Sequence, residues 1–221
     1  MSVSSNLASI SSTLPKNVLL VAVSKTKPVS DILEAYQFGQ KVFGENKVQE
    51  MVDKYHQLPK DIQWHMIGNL QRNKVKYIAS FVSLIHGADS FKLLQEINKQ
   101  AIINNRVIDC LVQIKISEED TKHGMSFFEA KTMIASEEFQ SLKNIKIVGL
   151  MGMASFTEDK NSIRQEFKSL SDFFIDFKEL TSSQISLQVL SMGMSSDYKI
   201  AIEQGSNMIR LGSVIFGKRF I

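Results

Sequence analysis

Two lysines follow directly on an apolar, β-branched segment near the start of the chain. The stretch "NVLLVAVSKTKPVSD" (residues 17–31) runs from buried-strand residues into Lys25 and Lys27 without a turn residue between them. Because side chains alternate faces along a strand, both lysines share the face of Val21 and Val23. Each ammonium group raises the cost of charging the other, and a neutral lysine attacks an aldehyde to form a Schiff base. The pattern therefore predicts an aldehyde-binding lysine, with Lys25 as the candidate at the strand end.

Two later segments combine glycine with serine, as phosphate-binding loops do. "SMGMSSD" contains Ser195, and "IRLGSVIFG" places Gly212 and Ser213 ahead of a short apolar helix. The N–H groups at a helix start and the hydroxyls of serine donate hydrogen bonds to phosphate. An aldehyde-seeking lysine beside a phosphate cradle predicts either a site for pyridoxal 5′-phosphate (PLP) or a sugar-phosphate aldolase.

Arg210 stands two residues before Gly212 and suits both of these interpretations. A sugar-phosphate enzyme could use it as a second phosphate clamp, whereas a PLP site could set it against the pyridine nitrogen. Arginine only donates hydrogen bonds, so it would keep that nitrogen unprotonated and weaken the ring as an electron sink. A structural arginine, paired with a carboxylate at the rim of the fold, is the third interpretation.

Eight apolar, β-rich segments alternate with segments of helical periodicity, and no low-complexity linker interrupts them. This alternation predicts a single α/β domain over residues 1–221, a (β/α)8 TIM barrel with residues 1–16 as a leading helix or tail; a doubly wound open sheet is the alternative. Active sites of such barrels lie at the carboxyl ends of the strands, and phosphate sites frequently follow strands 7 and 8. Pro28 ends the first strand, and Ser30 is expected to cap the next helix. The predicted strands lie near residues 18–24, 41–45, 62–67, 83–87, 109–116, 145–151, 186–192 and 207–211.

Composition and charge are those of an ordinary soluble globular protein. The 221 residues are 43% hydrophobic and 22% charged, with a net charge of +3. A charge this small and scattered does not predict nucleic-acid binding, and "QRNKVK" is expected to be a solvated helix face or the rim of the site. No apolar run approaches the ~18 residues of a membrane span, and no histidine or cysteine spacing predicts a metal site. The single cysteine, Cys110, favours a reducing compartment, so a cytoplasmic location is expected.

Six motifs together resemble the pyridoxal-phosphate homeostasis protein family, also called the YggS/PROSC type. In chain order they are "VAVSKTKP", "FGEN", "WHMIGNLQRNK", "GLMGM", "SMGMSSD" and "IRLGSVIFGKR". The resemblance covers the chain from about Val18 to the end, and the third motif is highly specific to the family. It implies a single-domain barrel like the N-terminal domain of alanine racemase, of the fold-type III class, carrying PLP. Members are regarded as managing cofactor supply and amino-acid and keto-acid balance, without an established catalytic reaction.

The resemblance also implies roles for individual residues. Lys25 would carry the Schiff base, Asn46 would lie beside the phenolic oxygen of the ring, and Arg210 would face the pyridine nitrogen. The phosphate would be held by Ser195, Gly212 and Ser213.

Four further residues receive weaker assignments from the same motifs. His65 and Met151 are expected either to line the ring or to pack at the strand ends. Lys122, in "DTKHG", resembles a family lysine that could be a secondary landing point for the aldehyde, with an exposed loop lysine as the alternative. Glu45 is expected to be a hydrogen-bond partner at the barrel mouth.

Two function classes stay open at this point. One is a non-catalytic PLP carrier that acts in cofactor homeostasis, with apo-enzymes receiving the cofactor as candidate partners; the other is a PLP-dependent amino-acid racemase. Racemisation needs a second acid/base group on the opposite face of the ring, and none of the four tyrosines follows a predicted strand directly, Tyr198 being the nearest. An aldolase is disfavoured because Lys25 has no acidic residue close by in sequence. We therefore expect a carrier rather than an enzyme, monomeric, and without nucleic-acid or membrane partners.

Overall fold

Eight parallel strands close into a barrel in chain order, with helices between them. The structure is a computed structural model and describes residues 2–117, 123–177 and 182–217. Strand β1 pairs with β8 from Leu19 opposite Met208 to Ala22 opposite Leu211, so the sheet has no open edge at this seam. The predicted TIM barrel is confirmed, and the open sheet is excluded. The strands are β1 (Leu19–Val23), β2 (Val42–Glu45), β3 (Gln63–Met66), β4 (Leu84–Ala88), β5 (Ile108–Ile114), β6 (Ile145–Gly152), β7 (Ile185–Ser191) and β8 (Met208–Leu211).

The helices surround the barrel, except after β3, where a 3₁₀ helix (Arg72–Tyr77) replaces an α-helix. That 3₁₀ helix contains most of the basic cluster predicted as a solvated helix face, and its charged side chains are exposed. Helix α1 packs onto α2 and α9, where the Asn6 amide donates 2.8 Å to the carbonyl of Ile215. The α-helices are α1 (Val3–Ser11), α2 (Val29–Gln37), α3 (Val48–Gln57), α4 (Phe91–Ile103), α5 (Phe127–Ala135), α6 (Glu137–Gln140), α7 (Lys160–Phe177), α8 (Tyr198–Glu203) and α9 (Ser213–Phe216).

The alternation of side chains along the strands divides the core into two layers. The larger layer lies between the sheet and the helices and includes Ala22 and Phe43, both fully buried. The smaller layer fills the inside of the barrel, where side chains from opposite strands meet below the strand ends. Its buried members are Val21, Val42, Leu84, Leu111, Met151 and Met208.

The start of α2 differs from the prediction, because Ser30 is not its N-cap. Helix α2 begins at Val29 with Pro28 in the cap position, and no side chain in the described parts of the chain caps it. The N–H of Asp31 bonds to the carbonyl of Pro28 at 3.2 Å, so the first helical turn includes Ser30. Ser30 therefore lies inside the helix and not at its cap position. Proline suits this position because its ring fixes φ and the missing N–H has no partner to lose.

None of the helices in the described parts of the chain is long and apolar enough to cross a membrane.

Candidate functional site

A pocket of about 380 Å³ opens at the carboxyl ends of the strands. It brings together all six residues that the sequence singled out as principal cofactor ligands: Lys25, Asn46, Ser195, Arg210, Gly212 and Ser213. These residues follow β1, β2, β7 and β8 or lie on β8, so barrel closure, which places β8 beside β1, assembles the set. The remaining wall is formed by Val23, Lys27, Ile67, Met153, Phe156, Met194, Ser196 and Gly217.

Lys25 reaches the pocket because strand alternation continues past the end of β1. Val21 packs inside the barrel, Val23 forms pocket wall, and Ser24 between Val23 and Lys25 is fully buried on the other side. The chain then turns sharply: the N–H of Lys27 bonds to the carbonyl of Ser24 at 3.1 Å. Lys25 is therefore the second residue of a tight turn, with its side chain on the pocket wall.

Lys27 bonds to the backbone of the segment after β8, on the opposite side of the pocket. Its ammonium group donates 2.7 Å to the carbonyl of Phe216 and 3.3 Å to the carbonyl of Gly217, at the end of α9. Cations are favoured at helix carboxyl termini, where the last carbonyls lack partners within the helix. The second lysine thus joins the loop after β1 to the segment after β8.

Arg210 is the buried cation of the site, at 4% exposure. One terminal nitrogen donates to the carbonyl and the hydroxyl of Ser191 at 3.0 and 2.7 Å, and the other donates to the carbonyl of Gly152 at 3.2 Å. Burial lowers the pKa of Arg210 to about 10, opposed by the carboxylate of Asp197, so the guanidinium is still charged at neutral pH. Within the described residues no carboxylate pairs with it, which removes the interpretation as a rim salt bridge.

A column of buried polar side chains continues below Arg210 into the barrel. The hydroxyl of Ser191 lies 3.2 Å from Nδ1 of His86, and Nε2 of His86 lies 3.0 Å from Nδ1 of His65. Burial lowers the pKa of His65 to about 3 and the pKa of His86 well below its ordinary value, where the neighbouring His65 and Arg210 act in the same direction. Both imidazoles are neutral at physiological pH. The hydrogen-bonded side chains that lie below Arg210 in the barrel therefore carry no charge that could neutralise its guanidinium group.

His65 and Met151 do not line the pocket, although each lies on the inward face of its strand. Met151 packs in the inner cluster at 1% exposure, and His65 bonds to His86. In both strands the pocket residue is the one two positions further along, Ile67 after His65 and Met153 after Met151. A strand rises about 3.3 Å per residue, so the two predicted residues lie roughly 7 Å deeper in the barrel.

Two other weak assignments have different outcomes. Glu45 is a hydrogen-bond partner as expected, because its Oε1 accepts from Ser24 at 2.6 Å and from Lys54 at 2.7 Å. It is fully buried and faces α3, however, and it does not line the pocket at the barrel mouth. The neighbouring Asn46 has the mouth position instead, because alternation turns successive side chains to opposite sides. Lys122 lies outside the described residues.

The two glycine–serine segments meet at one end of the pocket. The N–H of Gly212 donates to the hydroxyl of Ser195 at 3.4 Å, which joins the loop after β7 to the start of α9. Gly193 has φ of +93°, and a Cβ there would lie 2.7 Å from the Cβ of Ala201 on α8. The loop therefore requires glycine at this turn, both for its dihedral angle and for its close approach to α8.

Four apolar residues of the pocket were not anticipated from the sequence: Ile67, Met153, Phe156 and Met194. Ile67 is the last residue of a predicted strand, and Met153 lies two residues beyond another. Both could have been found by continuing the alternation two residues past His65 and Met151. Phe156 is 90% exposed in the loop after β6, and nothing in its sequence neighbourhood distinguishes it from any other loop aromatic.

The sequence is similar to known proteins along almost its whole length. Residues 2–219 match the profile of the alanine racemase N-terminal domain. The pyridoxal phosphate homeostasis protein of Aquifex aeolicus strain VF5 is 40% identical over 201 residues, which cover 90% of this chain and 86% of that relative. The protein of the same name from Vibrio alginolyticus is 40% identical over 211 residues, covering 93% of this chain and 88% of that one.

Solved structures give the same result. PipY of Synechococcus elongatus PCC7942, solved with PLP bound, superposes with a TM-score of 0.87 at 32% identity, covering 97% of this chain and 100% of that one. Alanine racemase from Bartonella henselae superposes with a TM-score of 0.71 at 13% identity and shares the fold over 99% of this chain and 60% of its own. The chain therefore belongs to the pyridoxal phosphate homeostasis proteins, a family built on the alanine racemase N-terminal domain.

Proposed function

We propose that this protein binds PLP in intracellular cofactor homeostasis and holds it as a Schiff base on Lys25. The observation that carries the proposal is that one pocket combines three features. These are the side chain of Lys25, the buried Arg210, which forms no ion pair with a described carboxylate, and the two glycine–serine loops, which are joined by a hydrogen bond. PLP bound in PipY, at 32% identity to this chain, supports the same ligand.

The residues fit the parts of this cofactor. We assign the phosphate to the hydroxyls of Ser195 and Ser213 and to the amides around Gly212, because these donors converge at one end of the pocket. Arg210 is assigned to the ring nitrogen and Asn46 to the phenolic oxygen. An arginine at the ring nitrogen donates and cannot give up a proton there, so that nitrogen stays unprotonated.

When bound, PLP supplies an electrophilic carbon and a ring that can withdraw electrons. The residues of this chain limit how strongly the ring withdraws them. Arg210 withholds the proton that would make the ring strongly electron-withdrawing. Tyr198 is the first residue of α8 and packs against the core instead of forming pocket wall, so it is not placed as a second acid/base group. We therefore favour a carrier without enzymatic turnover over an amino-acid racemase.

The proposal extends to the domain organisation, oligomeric state, location and partners of the carrier. We expect one domain over residues 1–221, a monomer, a cytoplasmic location, and apo-enzymes that receive the cofactor as partners. The last three can be tested independently of the site: the monomer by gel filtration with light scattering, the location by cell fractionation, and the partners by reactivation of an apo-enzyme supplied with the loaded protein.

The decisive experiment is an absorbance spectrum of the purified protein with PLP, before and after borohydride reduction, followed by mapping of the modified lysine by mass spectrometry. We expect a yellow imine band that reduction abolishes, with the label on Lys25. Lys25→Ala should lack the band and keep the fold, because the side chain fills no core volume. A label found only on Lys27 or Lys122 in the wild-type protein would contradict the assignment.

A further inference from the structure

The turn that carries Lys25 is held on the side away from the pocket by a charged cluster of Glu45, Lys54 and Glu50, of which the first two are buried and the third is partly buried. Lys54 lies on α3 at 5% exposure, and its ammonium group donates to three oxygens, each at 2.7 Å. These are a carboxylate oxygen of Glu45, a carboxylate oxygen of Glu50 and the backbone carbonyl of Ser24. An ammonium group has three protons, so its hydrogen-bonding capacity is used completely.

Glu50 holds the other side of the same turn. Its Oε1, the oxygen that accepts from Lys54, also accepts from the backbone N–H of Thr26 at 2.5 Å. Thr26 has φ of +62°, a left-handed conformation that a β-branched residue rarely adopts. In a turn with positive φ at the third residue, glycine or asparagine is usual. The turn conformation is thus imposed by its surroundings and not preferred by its own sequence.

Lys25 stands between the two held positions. Ser24 is held by Lys54 at its carbonyl and by Glu45 at its hydroxyl, which donates 2.6 Å to Oε1. Thr26 is held by Glu50. None of the three cluster residues lines the pocket, so the cluster influences Lys25 through its two neighbours, Ser24 and Thr26.

Stability alone is a weak reason for this arrangement. Glu45 is fully buried, and its second oxygen, Oε2, has no hydrogen-bond partner among the residues that the structure describes. Taking charges out of water costs several kcal/mol per ion unless every group is satisfied, and apolar residues of similar volume stabilise a protein as well or better. This cluster is costly to bury, and within the described parts of the chain its other side-chain hydrogen bonds all go to the turn at residues 24–27. We therefore infer that it serves to fix the conformation of that turn.

We propose that Glu50 and Lys54, supported by Glu45, are positioning residues that keep the turn at Lys25 in the conformation that captures the aldehyde of PLP. The proposal rests on the proposed function of Lys25. Without the acceptor on Glu50, Thr26 leaves the left-handed region in part of the population, and only the remaining fraction is competent to form the covalent bond. Apparent affinity for a ligand falls in proportion to the competent fraction.

The test compares PLP with pyridoxine 5′-phosphate, which carries an alcohol in place of the aldehyde and forms no bond to lysine. We expect Glu50→Met to weaken PLP binding and slow the growth of the imine band by roughly five- to thirtyfold, equivalent to the ~1–2 kcal/mol cost of a left-handed residue. Affinity for pyridoxine 5′-phosphate should change less than about twofold, because it does not use Lys25. Glu50→Gln, which keeps an acceptor oxygen, should lose less than Glu50→Met.

The second arm is a rescue. Glycine adopts positive φ without steric cost, so Thr26→Gly combined with Glu50→Met should restore PLP capture to within about threefold of the wild-type protein. Asp172→Asn, which breaks the exposed ion pair with Lys168 on α7, is the matched control and should leave both ligands unaffected. The unfolding midpoint of each variant, measured in urea, separates loss of capture from loss of folded protein.

Three results would overturn the proposal. Equal losses for both ligands in Glu50→Met would show a general disturbance of the pocket, unchanged PLP capture would show that the turn needs no support, and absence of rescue by Thr26→Gly would exclude the backbone mechanism. If the wild-type protein itself captures no PLP, or Lys25→Ala captures it equally well, the proposed function fails together with this inference.

Discussion

The phosphate end of the pocket permits a prediction of binding energy. Ser213 begins α9 beside Gly212, and its side chain is exposed at the rim, whereas the half-buried Ser195 already accepts from the N–H of Gly212 at 3.4 Å. A hydrogen bond to a charged group contributes ~1.5–3 kcal/mol net, and ~1.4 kcal/mol is a factor of ten in affinity. Ser213→Ala should therefore weaken PLP roughly ten- to a hundredfold, with its exposure favouring the lower end.

The assay is a titration with PLP and with pyridoxal, which lacks the phosphate, at fixed ionic strength. Pyridoxal should bind weakly to the wild-type protein and lose little more in Ser213→Ala. Ser213→Asp should weaken PLP further than alanine does, because it adds a carboxylate beside the phosphate. The exposed Ser80, outside the pocket, is the matched control, and Ser80→Ala should change neither affinity. Equal losses for pyridoxal and PLP in Ser213→Ala would place the phosphate elsewhere and refute the cradle.

Three further predictions concern turnover, acid stability and the loop after β7. The PLP-loaded protein should neither racemise nor transaminate common amino acids at a useful rate in chiral chromatography, and turnover that disappears in Lys25→Ala would contradict the carrier function. His65, with its folded pKa of about 3 against an ordinary 6.5, stays neutral where the unfolded chain takes up a proton. Its contribution to stability is therefore complete above about pH 6.5 and falls by about 1.4 kcal/mol per pH unit below it. Urea unfolding between pH 7 and 5 should show a steeper slope than this in the wild-type protein, because the buried His86 contributes in the same direction, and a smaller slope in His65→Leu. An unchanged slope in His65→Leu would show that His65 does not contribute. Gly193→Ala should weaken PLP at least tenfold and lower the unfolding midpoint, since the loop requires positive φ and close contact with α8, and a variant with wild-type titration and midpoint would disprove that requirement.

Periodicity along the chain was sufficient to predict the barrel and the face on which its chemistry lies. All eight predicted strands are present, with every end within two residues of its predicted position. Period-two alternation through Val21 and Val23 placed Lys25 in the pocket, because alternation is a local property of extended backbone. The glycine–serine segments were recognisable for a related reason, since they directly follow the last two predicted strands.

The sequence could not predict how deep in the barrel each inward side chain lies. His65 and Met151 were expected either to line the ring or to pack at the strand ends, and the sequence left both open. The neighbouring strands and their stagger decide which layer of side chains reaches the pocket. On each of these strands, the residue that lines the pocket comes only two positions after the buried residue. Local alternation contains no measure of that height, which is set by how far each strand is shifted against the next.

The partners of the buried polar groups were also decided only by the tertiary structure. Arg210 meets Ser191, and Ser191 meets His86 across 105 residues of chain, because barrel closure brings their strands together. The contact of Lys54 with Ser24 spans 30 residues and depends on how α3 packs against β2. A sequence shows which side chains can donate and accept, whereas hydrogen bonds are made over about 3 Å. The residues that prepare this pocket for its ligand therefore became visible only when the fold had brought them to that distance.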